Sequence, residues 1–154
     1  MQISQYVYLC LYSRTVSAEQ ITQAVGMEPD SVTVRGSRST EPPRPIEHSW
    51  QIECRDEGKA VDDQVEAVLR RITPAVSKVR AVVDELDVSV GLQLVRFFDD
   101  EDGAGEVIPE VETEDGRRLV KLPGQHQLLG WVLTPEQVRL LSSMGACISA
   151  DEYG

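Results

Sequence analysis

Nine carboxylates fall between Asp99 and Gly116 with no Lys or Arg among them: Asp99, Asp100, Glu101, Asp102, Glu106, Glu110, Glu112, Glu114 and Asp115. Side chains of this type at this density can bind a divalent cation, do acid/base work or meet a basic protein surface. An EF-hand, the obvious form of the first use, fails on spacing, while a divalent ion held in another way stays a minor alternative. With Gly103 at the sixth position of an EF-hand loop, the first and twelfth positions are Phe98 and Pro109, and neither offers a side-chain oxygen. The second use needs two carboxyls in distinct, partly buried environments that push their pKa values apart, and a run of like charges has no such distinction. A docking surface for a basic partner remains, beside the plainer alternative of a solvated, partly disordered charged segment.

Other chemistry is sparse. The two histidines are His48 and His126, and the one His/Cys pair close in sequence, His48 with Cys54, lies on opposite faces of an alternating strand. Without CxxC or HxxxH spacing, no metal site and no cofactor is expected. Cys10 and Cys54 sit inside strand patterns, where cysteine acts as a small hydrophobe, and no GxSxG elbow accompanies any Ser. Gly103-Ala104-Gly105 lies among carboxylates that would repel a phosphate. An enzyme is therefore not expected, and His48 or His126 acting as a base is the weaker reading. Tyr6, Tyr8 and Tyr12 share a strand face near a loop holding Arg35, Arg38 and Arg44, a pairing that could stack and neutralise RNA. The net charge opposes nucleic acid, and that loop has the protein's own acidic arm as another partner. A second candidate site is a pocket for a small molecule or peptide between the sheet and this loop, formed by Trp50, Arg35, Arg38 and Arg44.

The 154 residues carry a formal net charge of −11, with 41% hydrophobic and 27% charged side chains. Residues 1–98 contribute −3 and residues 117–154 contribute +1, so nearly all the charge is local to the arm. A chain of this length buries enough surface for one core, and a single domain spanning 1–154, with an acidic insertion at about 99–116, is expected. Its field disfavours nucleic acid and anionic membranes and favours a basic protein. No apolar run approaches the roughly 18 residues of a spanning helix. Met1–Gln5 has no positive n-region, and three scattered cysteines do not make a disulfide framework, so a cytoplasmic protein is expected.

The elements that must position these groups read as follows. Tyr6–Ser13 alternates as a strand, with Val7, Leu9 and Leu11 on one face and Tyr6, Tyr8, Cys10 and Tyr12 on the other. Ser17 and Gln20 form a capping box for a helix over 17–25, ended by Gly26. Val32 and Val34 mark a short strand, and Pro42, Pro43 and Pro45 make the following stretch a loop. His48–Arg55 is the next strand, with Trp50, Ile52 and Cys54 on one face. A stripe from Val61 to Leu86 predicts a long helical region broken at Thr73 by Pro74. Val88–Phe98 is a strand, Val107–Thr113 and Arg117–Leu122 flank a turn at Gly116, and Gln127–Leu133 alternates as a further strand. Thr134-Pro135-Glu136-Gln137 starts the last helix, which echoes the Ser17 start, and Ala146–Ser149 closes as a strand. The order implies an α+β fold with an antiparallel-rich sheet. Its first part is ferredoxin-like with helices on one face, and an extra hairpin arm and a C-terminal β-α-β unit follow.

The opening strand, Ser17–Thr22 leading to Val25-Gly26-Met27-Glu28-Pro29, Arg35-Gly36-Ser37, the strand around Trp50, and Leu133–Glu136 with Met144-Gly145-Ala146 together resemble the bacterial domain-of-unknown-function family 4279. The likeness spans most of the chain and rests on caps, a turn and an aromatic core position, and no catalytic residues come with it. It implies a small stand-alone protein of the kind proposed as immunity partners of bacterial toxins. The expected partner is thus a cognate protein toxin or another basic protein, met through the acidic arm. A self-pairing edge strand near the C-terminus leaves a homodimer open.

Overall fold

The computed structural model describes residues 3–56, 59–98, 111–112, 116, 118–119 and 130–153. Strand β1 (Ile3–Ser13) runs through the middle of the sheet. Helix α1 (Ala18–Val25) follows, capped as its sequence requires: the Ser17 hydroxyl accepts from the Gln20 N–H, the Gln20 side chain accepts from the Ser17 N–H, and Gly26 closes it in the left-handed region at φ 71°. Then come β2 (Ser31–Thr33) and a two-residue ribbon, β3 (Ser39–Thr40) with β4 (Pro43–Arg44), inside the expected proline loop. Strand β5 (His48–Cys54) precedes α2 (Val61–Ile72), which passes through a 3-10 turn at Thr73–Ala75 into α3 (Val76–Glu85). The break falls at Thr73, where Pro74 has no N–H to continue the ladder. Strand β6 (Ser89–Phe98), a short hairpin of β7 (Val111–Glu112) and β8 (Arg118–Leu119), α4 (Pro135–Met144) and β9 (Cys147–Tyr153) complete the chain.

The five-stranded sheet has the order β2-β5-β1-β6-β9. Its first four members pair antiparallel, which is the ferredoxin-like arrangement, and β9 joins parallel to β6 across the α4 crossover. Strand alternation sends Val7, Leu9 and Leu11 of β1 to one face with Trp50, Ile52, Leu92 and Leu94. There they form one cluster with Ile21, Val65, Val68, Ile72, Val79, Leu141 and Met144 from the helices. Gln64, fully buried in α2, holds the junction by donating to the carbonyls of Gln5 (3.2 Å), Asp56 (3.0 Å) and Lys59 (3.3 Å).

Two expectations need adjustment. The hairpin around Gly116, which has φ 77°, pairs Val111 with Leu119 and Glu112 with Arg118, and the rest of its expected length lies outside the described residues. The strand expected at Gln127–Leu133 is not one over Gly130–Leu133, which is irregular backbone; residues 127–129 lie outside the described residues. Trp131 and Leu133 pack on the core while Val132 faces out and gives its N–H to Asp62 of α2 at 2.9 Å. Alternation here comes from one-sided packing on the helix layer, not from strand pairing.

Candidate functional site

With the helices gathered on one side, no described helix covers the other sheet face, and the strand registers define what it presents. Gln51, Cys10, Gly91 and Cys147 form one row across β5, β1, β6 and β9. Glu53, Tyr8, Gln93 and Ser149 form the next, and Tyr6, Val95 and Asp151 the one beyond. Gly91 gives the face its relief. A Cβ there would stand 2.9 Å from the Cys147 sulfur, so the missing side chain leaves a shallow hollow of about 290 Å³. Tyr8, Tyr12, Glu47, Gln51 and Gln93 stand around it, and among the described residues no Lys or Arg lines it.

The polar groups are tied to one another. Ser31 donates to Gln51 Oε1 at 3.2 Å, and Gln93 donates to Asp151 Oδ2 at 2.8 Å. Arg55 lies over the Tyr6 ring at 3.9 Å while its Nε donates to Glu53 at 2.8 Å, and Phe97 stacks on Tyr153 with centroids 4.9 Å apart. Burial pushes the Cys10 thiol up to about 11, helped by the charge of Glu47 and opposed by a hydrogen bond with Gln51. Burial also raises the Tyr8 and Tyr12 phenols. At neutral pH Cys10, Tyr8 and Tyr12 are therefore protonated, a surface suited to hydrogen bonding and aromatic contact rather than to nucleophilic attack.

Below β6 the arrangement is different. Arg96 points to the helix side and is 4% exposed, its Nη1 donating to Glu152 of β9 at 2.8 Å and its guanidinium 5.1 Å from the Phe98 ring. Its Nε has no hydrogen-bond partner among the described residues.

The residues singled out from sequence are distributed unevenly. Glu112 belongs to the short hairpin, while Asp99, Asp100, Glu101, Asp102, Glu106, Glu110, Glu114 and Asp115 lie outside the described residues, as does His126. Trp50 does not line a pocket. Its alternation turns it to the helix side, where it is fully buried with its indole N–H donating to Thr22 Oγ1 at 3.0 Å. A hollow of about 430 Å³ does lie beside the proline loop, lined by Arg35, Gly36, Thr40, Pro43 and His48; Arg38 and Arg44 are exposed and are not among its lining residues. Arg35 spends its guanidinium on the Arg14 carbonyl at 3.2 Å, and its N–H donates to His48 Nδ1 at 3.2 Å. Gly91 and Cys147 escaped the sequence reading, although a glycine inside a strand is itself a sign of close approach.

Among the described residues there is no cluster of three or more His, Cys, Asp or Glu side chains able to hold a metal ion, and no helix long and apolar enough to cross a membrane. Fold and face together define a helix-backed α+β sheet with one open polar and aromatic face. The family model described as a domain of unknown function (DUF4279) matches residues 2–154, and the chain belongs to that family. No curated protein and no solved structure gives a significant match.

Proposed function

We propose that this protein is a non-enzymatic, immunity-type binding protein of the cytoplasm that neutralises a basic bacterial toxin by docking against it. One observation carries the reading: nine of the carboxylates are gathered into residues 99–116 without a cation. That run begins directly after Phe98, where β6 ends beside the end of β9 that carries Asp151 and Glu152. Complementary potentials of this kind speed encounter and select the partner, which suits an inhibitor that must act before damage accumulates. The non-enzymatic part is supported by the raised Cys10 thiol and by His48, whose Nδ1 is occupied by the Arg35 N–H rather than oriented by a carboxylate.

The test is capture on immobilised protein from the source lysate, with a variant carrying Asp99→Asn, Asp100→Asn, Glu101→Gln and Asp102→Asn in parallel, at low and moderate salt. The reading expects one basic protein, lost in the variant and weakened by salt, whose expression arrests growth unless this chain is co-expressed. A captured protein whose toxicity is unaffected by this chain, or binding indifferent to the arm substitutions, overturns it. A second reading, a small-ligand or peptide module, draws on the hollow at Gly91, and Tyr8→Ala in its lining would weaken such binding while leaving protein capture intact.

A further inference from the structure

The sheet has two edges, and they are not alike. β2 at one edge is three residues long. β9 at the other is seven residues long, pairs with β6 along one side, and is exposed at every position from Cys147 to Tyr153. Among the described residues no strand pairs with its other side, which leaves a row of backbone donors and acceptors there. Two of the usual protections are missing from Cys147–Tyr153, which contains no Pro and no Lys. Its charged residues are both acidic, Asp151 and Glu152.

We propose that β9 is a strand-addition site that takes an extended basic segment of the partner protein as a sixth strand of the sheet. The inference rests on the docking reading above and specifies how the docking is made. β9 is held firmly enough to act as a template. Its register with β6 runs over seven pairs, and it is pinned from β6 by Gln93 to Asp151 and by the buried Arg96 to Glu152. A template ordered in advance spares the complex the entropy of ordering it. Main-chain bonds supply affinity in this mode and alternate side chains supply selectivity. Asp151 faces the open side and Ile148 the helix side, and Glu152 is already paired with Arg96, so the fitting segment carries cations on the open face beside Asp151 and apolar groups on the helix face beside Ile148. A second copy of this chain is the poorer occupant. It brings another −11 of charge and sets two more carboxylates at the same junction.

The test uses the full chain and a blocked seven-residue peptide alternating Lys and Val, with the same peptide N-methylated throughout as control. Amide hydrogen exchange is read residue by residue. At saturation the Lys–Val peptide should slow exchange in residues 147–153 at least tenfold and leave β2 unchanged. N-methylation should weaken binding at least tenfold, and Asp151→Asn threefold or more. Equal binding of the methylated peptide, protection elsewhere than β9, or concentration-dependent protection of β9 without peptide would each overturn the proposal, the last by placing a second copy there. Capture of a toxin without these signatures leaves the docking reading standing and removes strand addition. Peptide pairing at β9 with no toxin captured does the reverse.

Discussion

Arg96 and Glu152 give the sharpest prediction about stability. The Arg96 guanidinium is taken almost wholly out of water and, among the described residues, bonds one carboxylate through Nη1 while its Nε finds no partner. Removing one member of a fully buried pair costs about 3–5 kcal/mol, because the charge left behind is neither hydrated nor paired. Glu152 is half exposed at its side chain, so water can replace part of what it gives, and Glu152→Ala is expected to cost about 1–2 kcal/mol. Arg96→Met removes the charge and the orphaned Nε together and keeps an apolar stem. It forgoes the Phe98 contact, worth about 0.5–1 kcal/mol, and should land within about 1 kcal/mol of wild type. The double variant should then resemble Arg96→Met alone, a coupling of about 1–2 kcal/mol. Urea unfolding followed by circular dichroism reads this directly, since a slope of about 2 kcal/mol per molar places the Glu152→Ala midpoint roughly 0.5–1 M below wild type. If Arg96→Met destabilises as much as Glu152→Ala, the guanidinium is not suffering from its burial and the reasoning fails.

Asp30 is held below the usual carboxylate range chiefly by hydrogen bonds from Arg71, with burial working against them and the Glu53 N–H adding to them. A depressed folded-state value contributes stability above the unfolded value near 4, lost as pH falls through the folded value. Asp30→Asn should therefore lower the unfolding free energy at pH 6 by less than about 1 kcal/mol, read from urea melts, and the gap should close on acidification below pH 4. A gap that persists at pH 2 would refute the ion pair as its source. The Cys10 thiol, at about 11, should react with iodoacetamide at pH 8 about a hundredfold more slowly than free cysteine, and exposed Cys147 should label first, as peptide mass spectrometry would show. Gly145 caps α4 at φ 75°, so Gly145→Ala should cost about 1–2 kcal/mol in a thermal or urea melt, and Thr134→Ala at the other end about 1 kcal/mol.

What could be read from the sequence was local. Both capping boxes, at Ser17 and Thr134, appear where four consecutive residues dictated them, and the helix breaks at Thr73 because Pro74 lacks an N–H. Non-local pairing was harder. Nothing in Cys147–Tyr153 says that it lies parallel to β6, so Cys147 could not be placed over Gly91, nor Glu152 on Arg96. The period-2 pattern at Gly130–Leu133 was genuine but ambiguous, since a segment lying on helices alternates as a strand does. Trp50 was misassigned despite a clear signal: its own alternation with Ile52 and Cys54 already turned it inward, and nearness to the proline loop suggested a pocket lining instead.

The connection from β6 to β9 has a consequence for how the arm can be handled. Parallel neighbours need a crossover of a dozen or so residues, and α4 with its flanks already meets that requirement. The chain between Phe98, the end of β6, and Gly130, next to Trp131 on the helix layer, is therefore surplus to the topology. Counted as contour length alone, replacing those roughly thirty residues by ten of Gly and Ser lowers the closure entropy by only about 1 kcal/mol, since the cost grows with the logarithm of length. On chain entropy alone, then, the length of this segment sets little of the sheet's stability, and shorter or longer inserts differ in what they present to a partner far more than in the cost of closing the chain.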